Sequence, residues 1–439
     1  MIDPRVLGEQ PDLVRDHLRK RHADDAALAS VDRWVELDAR RRSLVGEGDK
    51  LRTDRNTLSR EIGARMKQGR PEEAEALKAQ VQRGNERTHE IDAELAGVER
   101  DLEVIAMRLP NLLHESVPEG RTEEDNPVVR TWGTPPRFDF EPQPHVEVGN
   151  RLGILDLERA AKLSGARFAV LQGAGARLER ALINFYLDLH SREHGYTEIM
   201  VPYLVHRHVA EGTGQLPKFE SDMFRLAEPL NGHDAFLVPT AELPVTNLHR
   251  EEILEESELP KRWCCFTPCF RSEAGSAGRD VRGIIRQHQF HKVELVWLTT
   301  PERAEEDYQA LIRHAETCLR LLELPYRIVR HCGGETSFAA HRCHDLEVWL
   351  PSLKAYKEIS SCSHFSDFQA RRMQLRYRPH DPEGKKHKPR LVHTLNGSGL
   401  PAGRALVAIL ENFQRQDGSV AVPAVLQPYV GTDLIRPPR

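Results

Sequence analysis

Apolar residues recur every seven positions along two stretches of the N-terminal quarter of the chain. In the first, Leu37, Leu44, Leu51 and Leu58 are joined by Ile62. In the second, Ile91, Val98 and Ile105 interleave with Val81, Leu95, Leu102 and Leu109. A seven-residue repeat keeps one apolar stripe turned toward a partner helix. Gly69-Arg70-Pro71 breaks the pattern between the two stretches. The pattern predicts an antiparallel helical hairpin over about residues 28–108. Its seam is thin, because Arg41, Gly48 and Arg55 occupy the heptad positions complementary to the leucines in the first helix and Gly84 sits in the second. Such an arm has little core of its own and projects into solvent.

The stretch from Pro110 to Pro144 holds Asn126-Pro127, Thr134-Pro135-Pro136 and Pro142-Gln143-Pro144, and reads as a linker into a second domain. The expected division is residues 1–112 and 113–439. Beyond it the period changes. Ala176 to His194 is amphipathic at helical spacing and is stopped by Gly195, whereas Val293-Glu294-Leu295-Val296-Trp297 alternates as a strand. Strand patterns come in hairpin-like groups without regular βαβ units. The fold class expected is therefore α+β: a helical arm plus a mainly antiparallel sheet flanked by helices.

Composition narrows the partners. The net charge of the 439 residues is −5, so a nucleic-acid surface must be local. The first helix of the arm carries Arg33, Arg40, Arg41, Arg42, Lys50, Arg52, Arg55, Arg60 and Arg65, interleaved with acids. They serve either as a solvated, salt-bridged face or as a lever on phosphates. No apolar run is long enough to cross a membrane, and Met1-Ile2-Asp3-Pro4 opens no secretory signal. The seven cysteines all lie in the second half without regular spacing, which fits reduced thiols and a cytoplasmic location. Cys332 and Cys343 lie near His331, His341 and His344, but the spacing matches no compact zinc module.

The candidate chemistry centres on Arg271-Ser272-Glu273 and Phe290. An arginine fork suits phosphate oxygens, a carboxylate accepts from an exocyclic amine, and a ring stacks on a base. Together they suit a nucleotide, although neither a GxxxxGK loop nor a GxGxxG fingerprint is present. Thr240-Ala241-Glu242 follows an apolar run, and Glu294 stands alone on an apolar strand. A pair of buried carboxylates suits an amino acid with an ammonium and a hydroxyl; the plain alternative for Glu294 is the solvent side of an edge strand. Glu358-Ile359-Ser360-Ser361-Cys362-Ser363 offers a carboxylate and hydroxyls to a hard cation such as Mg2+, or else is a polar strand edge. Leu395-Asn396-Gly397-Ser398-Gly399-Leu400 reads as a small-residue turn opening an apolar helix that carries Arg404, where anions are favoured.

Taken together, these pieces resemble the class II aminoacyl-tRNA synthetases, and among them the bacterial-type seryl-tRNA synthetase family. Gly195 to Pro202, Phe270 to Phe290 and Gly397 to Arg404 resemble the three class signatures. Gly212-Thr213-Gly214-Gln215-Leu216-Pro217-Lys218-Phe219, Thr240-Ala241-Glu242 and the paired-helix arm resemble the serine branch. The resemblance implies a homodimer and a ligase that activates L-serine with ATP and Mg2+. It then transfers the seryl group to tRNA(Ser), and to tRNA(Sec) where one is present. It implies catalytic roles for Arg271, Arg404 and Glu358. It places ATP on Arg271, Ser272, Glu273, Phe290, Glu358, Ile359, Ser360, Ser361 and Arg404, with Mg2+ on Glu358 and Ser361. It surrounds serine with Thr240, Ala241, Glu242, Arg271, Glu294, Asn396 and Ser398. The arm would grip the long variable arm of the tRNA by shape and backbone. The loop Gly275 to Arg282 would meet the acceptor end, with Arg279→Ala impairing transfer more than activation.

Departures from the family pattern cluster at one place. Gly334-Glu335-Thr336-Ser337-Phe338-Ala339 stands where Gly-Asp-x-Gly-Phe-Ser is usual. Arg342-Cys343-His344 stands where Lys-Thr-Tyr is common before Asp345-Leu346-Glu347. Two other readings follow: a dedicated paralogue tolerant of serine-mimicking inhibitors, and an inactive RNA-binding protein. Arg271, Glu273, Glu358 and Arg404 argue against the second.

Overall fold

The computed structural model describes residues 1–274, 283–385 and 387–438. It divides into two compact units, Ile2–Pro110 and Asn111–Arg439, with Met1 grouped with the second.

The first unit is helical. Two short helices, α1 (Pro4–Glu9) and α2 (Pro11–Lys20), precede the long α3 (Asp25–Lys67) and α4 (Pro71–Arg108). Asp24 caps α3 by accepting from the Ala27 amide at 2.8 Å. Gly69, at φ +74°, turns the chain, and Pro71 starts α4 at the position where no amide partner is needed. The heptad residues form the seam as their spacing predicts. Leu37, Leu44, Ile91, Val98 and Leu102 are buried, while Leu51 and Leu58 toward the tip are only half-buried. Gly48 is buried against Ile91, although a Cβ there would still make only ordinary contact, at 3.7 Å. Ion pairs between the helices support the thin seam: Arg40–Glu94 at 2.6 Å, Arg87–Glu47 at 2.8 Å and Arg52–Asp92 at 3.1 Å. The first and third are solvent-exposed and the second is half-buried, so water screens them and each adds little.

The second unit is built on an eight-stranded sheet. In chain order its strands are β1 (Val128–Trp132), β2 (Thr197–Glu198), β3 (Lys261–Phe270), β4 (Gln289–Thr299), β5 (Tyr326–Arg330), β6 (Arg342–Leu350), β7 (Ala355–Ser366) and β8 (His393–Pro401). Across the sheet the order is β1-β5-β6-β7-β8-β4-β3-β2. All pairings are antiparallel except β2 with β3. Helices α5 (Ala174–Arg192), α6 (Ala304–Leu321) and α7 (Ala402–Asn412) contribute to its hydrophobic core. Trp297 anchors that core; it is fully buried and its indole donates to the Tyr196 hydroxyl at 2.7 Å.

Three local expectations change. The string Leu395–Leu400 is not a turn but the interior of β8, paired on both sides with β7 and β4. Its glycines are there for close packing: a Cβ on Gly397 would lie 3.0 Å from Cys362 Sγ, and one on Gly399 3.0 Å from the His190 ring. Glu294 and the Glu358 segment are not on edges either, since β4 and β7 are both interior strands. The amphipathic helix starts two residues earlier than its pattern suggests and ends at Arg192, with Gly195 at φ +71° beyond it.

Candidate active site

An open pocket of about 410 Å³ lies where β4, β7, β8, α7 and the residues just after β3 meet the Thr240–Glu242 segment. Register explains who reaches it. Phe290, Lys292 and Glu294 alternate along β4 and share a face. Ser398 of β8 stands opposite Glu294, and Asn396 opposite Ser363 of β7. In β7 the pairing shifts: Ser361 faces Asp345, but Glu358 faces Glu347, so Ile359 is an extra residue. This bulge brings Glu358 and Ser361, three positions apart, onto the same face of the sheet.

One end of the pocket is cationic. The Arg404 guanidinium donates to the Glu358 carbonyl at 2.8 Å and meets its carboxylate at 3.2 Å. Arg404 thereby holds the Glu358 carboxyl below its usual range. Its Nε donates to the Ile285 carbonyl at 3.3 Å. The Arg271 guanidinium lies 5.2 Å from the Phe290 ring centroid. Glu273, at φ +53°, pairs with Arg286 at 2.5 Å.

The other end is acidic and mostly buried. Glu242 accepts from Gln369 at 2.7 Å and Gln215 at 3.5 Å. Burial, and then the charge of Glu294, push the Glu242 carboxyl up to about 7. Lys292 is also buried; it forms an ion pair with Glu294 and donates to the Thr240 hydroxyl at 3.0 Å. Asn396 donates to Glu294 at 3.2 Å. The buried Ser398 hydroxyl has no hydrogen-bond partner among the described residues. A buried polar atom left so costs about 1–3 kcal/mol until a ligand meets it.

Of the residues singled out from the sequence, Thr240, Glu242, Arg271, Glu273, Phe290, Glu294, Glu358, Ile359, Ser360, Ser361, Asn396, Ser398 and Arg404 all line this pocket. Ser272 does not, because its hydroxyl donates to the Ser221 carbonyl and its amide to Asp222. Ala241 is buried behind the wall against Val245, Cys265 and Val296. The loop residues Gly275 to Arg282, including Arg279, lie outside the described residues. Sequence reasoning passed over Lys292, Gln215, Gln369 and Arg286. Lys292 had a signal, since it stands two residues before Glu294 on an alternating strand.

A cation end suited to phosphates and an acid end suited to an ammonium, carried on an antiparallel sheet, define a class II aminoacyl-tRNA synthetase core. Residues 224–413 match the model of the tRNA synthetase class II core domain (G, H, P, S and T). Residues 1–113 match that of the seryl-tRNA synthetase N-terminal domain. The serine–tRNA ligase of Syntrophotalea carbinolica is 53% identical over 95% of this chain and 97% of its own length. That of Thermotoga petrophila is 52% identical over 99% and 100%. The crystal structure of seryl-tRNA synthetase from Pyrococcus horikoshii complexed with ATP superposes with a TM-score of 0.94, at 37% identity and full coverage of both chains. The cytoplasmic serine–tRNA ligase of Naegleria fowleri in complex with AMP gives 0.89, at 29% identity, covering 100% of this chain and 99% of its own. The chain belongs to the seryl-tRNA synthetase family.

Proposed function

We propose that this chain is a serine–tRNA ligase that activates L-serine with ATP and esterifies tRNA(Ser), and tRNA(Sec) where one is present. The observation that carries the reading is the junction, in one pocket, of the Arg271–Arg404 end with the Glu242–Glu294–Ser398 end. The serine carboxylate attacks the α-phosphorus of ATP in line, and pyrophosphate leaves. The ribose hydroxyl at the tRNA terminus then takes the seryl group from the adenylate, and AMP leaves. No protein nucleophile is required; Arg271 and Arg404 offset the charge that develops on the phosphates. Phe290 supplies a face for the adenine and Glu273 an acceptor for its amine. Glu242, Glu294 and Thr240 take the serine ammonium and hydroxyl, and Ser398 gains the partner it lacks. Mg2+ would be held by the hard oxygen donors of Glu358 and Ser361, which share a face of the sheet, and would add positive charge beside the phosphates.

Alanine leaves the hydroxyl partners unpaired, while threonine is excluded by shape. Serine-dependent exchange of pyrophosphate into ATP tests the activation step, and its absence would refute the assignment. The exposed basic residues of α3 are the contact for the tRNA variable arm, so that residues 1–112 read the tRNA and 113–439 carry the chemistry. Met200, exposed and apolar within the Gly195–Pro202 segment, supports a homodimer through that face. No helix among the described residues is long and apolar enough to cross a membrane, in line with a cytoplasmic enzyme.

A second reading, a copy tolerant of seryl-adenylate mimics, is favoured by one observation. Ser337 and Ala339, which stand where the family pattern has glycine and serine, both line the pocket. Inhibition constants for such mimics, compared with a housekeeping enzyme, decide it: equal sensitivity ends this reading.

A further inference from the structure

Beside the pocket, on the same face of the sheet, β5 and β6 bring together three metal-ligating side chains from separate points in the sequence. His331 follows the end of β5, and its amide donates to the Cys343 carbonyl at 3.1 Å. Cys343 and Asp345 alternate on β6, opposite Ser363 and Ser361 of β7. His331 Nε2, Cys343 Sγ and an Asp345 carboxylate oxygen all lie within 4.8 Å of one another. His331 Nε2 is 2.9 Å from Asp345 Oδ2, and Cys343 Sγ is 3.8 Å from Oδ1. The side chains of His331 and Asp345 are only 12% and 13% exposed, and Cys343 is 1% exposed.

The decisive feature is the other nitrogen of His331. Its Nδ1 lies 3.2 Å from the Glu335 carbonyl oxygen, which can only accept, so Nδ1 carries the hydrogen. A ring neutral in this tautomer would aim the Nε2 lone pair at a carboxylate and a sulfur. Nε2 and the carboxylate both present electron pairs there, while the thiol donates weakly to Asp345 Oδ1 and meets the Ser361 and Ser363 hydroxyls at 3.1 and 3.3 Å. Only a cation at the centre, a metal ion or a proton on Nε2, reconciles them. An imidazole whose second nitrogen is tied to a carbonyl is also the usual outer support of a metal-bound histidine.

We propose that His331, Cys343 and Asp345 form a binding site for a thiophilic divalent ion, Zn2+ being the fitting species. One thiolate, one imidazole and one carboxylate suit its tetrahedral preference. Ligand atoms around such an ion stand about 3.3–3.7 Å apart, so the present cluster closes on it with shifts below about 1 Å. Water closes the fourth position, and the Ser361 hydroxyl lies 3.1 Å from Cys343 Sγ at its edge. The ion ties β5 to β6 and steadies Ser361 at the pocket wall. The site is distinct from the proposed Mg2+ position, whose donors are oxygens alone. Local spacing could not reveal it, because strand pairing assembles it, and Cys343 stands where the family commonly has threonine.

The test uses the full-length protein, stripped with a chelator under reducing conditions and titrated with Co2+, then Zn2+. One equivalent of Co2+ should give a thiolate-to-cobalt charge-transfer band and the visible absorption of a tetrahedral ion, both erased by one equivalent of Zn2+. C343T and H331Q should each lose the band while keeping the far-UV circular dichroism of the parent. X-ray absorption of the zinc-loaded parent, which needs no variant, should show one sulfur and three nitrogen or oxygen neighbours. Absence of stoichiometric Co2+ binding would overturn the proposal and leave a proton shared between His331 and Asp345. So would a band that persists in C343T, or a shell with two or more sulfurs.

Discussion

At the scale of single residues, Lys292 decides how the acidic end of the pocket behaves. It is the one ammonium among Glu242, Glu294 and Thr240 in the described structure, and it pairs with Glu294. Removing one partner of a buried pair leaves the other charge uncompensated. Lys292→Met should therefore raise the KM for serine at least tenfold and leave that for ATP within about twofold, as measured by pyrophosphate exchange. An equal rise in both would assign Lys292 to general structure. Glu242 gives a second expectation. Its folded carboxyl titrates at about 7, above the ordinary value, so the folded protein keeps a proton that the unfolded chain gives up. Its contribution to stability is present at low pH and fades as pH rises toward 7. Serine binding runs the opposite way, because the ammonium needs the ionised form. The KM for serine should fall from pH 6 to pH 8, and Glu242→Gln should raise it and flatten the dependence. A parent KM that does not change over that range would contradict the assignment.

At the scale of elements, the helical arm shows how local pattern and packing share the work. The heptads and the Gly69–Pro71 break were legible because both helix contact and helix interruption are local properties. Burial along the seam was not, since it depends on which residues of α4 stand opposite. Leu44 is fully buried and Leu58 only half-buried. Leu44→Ala should cost the arm about 2–5 kcal/mol, and Leu58→Ala under about 1 kcal/mol. Chemical unfolding followed by far-UV circular dichroism checks this; equal costs would mean that the seam is packed evenly to its tip. β8 teaches the converse lesson. Asn396-Gly397-Ser398-Gly399 reads as a turn because glycine favours turns. Its glycines instead make room for Cys362 and His190, which approach from elements far away in sequence. The bulge at Ile359 was equally hidden, although it decides that Glu358 and Ser361 share a face.

At the scale of the whole molecule, the sheet turns scattered residues into a site. Arg271, Glu273 and Phe290 were legible together because they lie close along one hairpin-like segment. The meaning of Lys292 was not, because Thr240 and Glu242 come from a segment about fifty residues earlier. The same sheet buries several neutral histidines. Burial pushes His341 down to about 4 and His314 and His344 to about 3, and it lowers His190 and His364 as well. The unfolded chain takes up these protons near pH 6.5, the folded chain only far below it. Stability should therefore decline as pH falls from about 6.5 toward 4, since these five imidazoles outweigh the opposite contribution of the single Glu242 carboxyl. Thermal midpoints across that range check the slope, and a flat profile would show that the imidazoles are solvated. In the whole enzyme, tRNA recognition by the arm serves the chemistry of the pocket. Charging of a serine tRNA with L-serine and ATP, with and without the tRNA variable arm, tests both together. The intact tRNA should be charged efficiently, and the trimmed one with a kcat/KM lower by at least tenfold, about 1.4 kcal/mol or more. No charging of the intact tRNA with serine would contradict it.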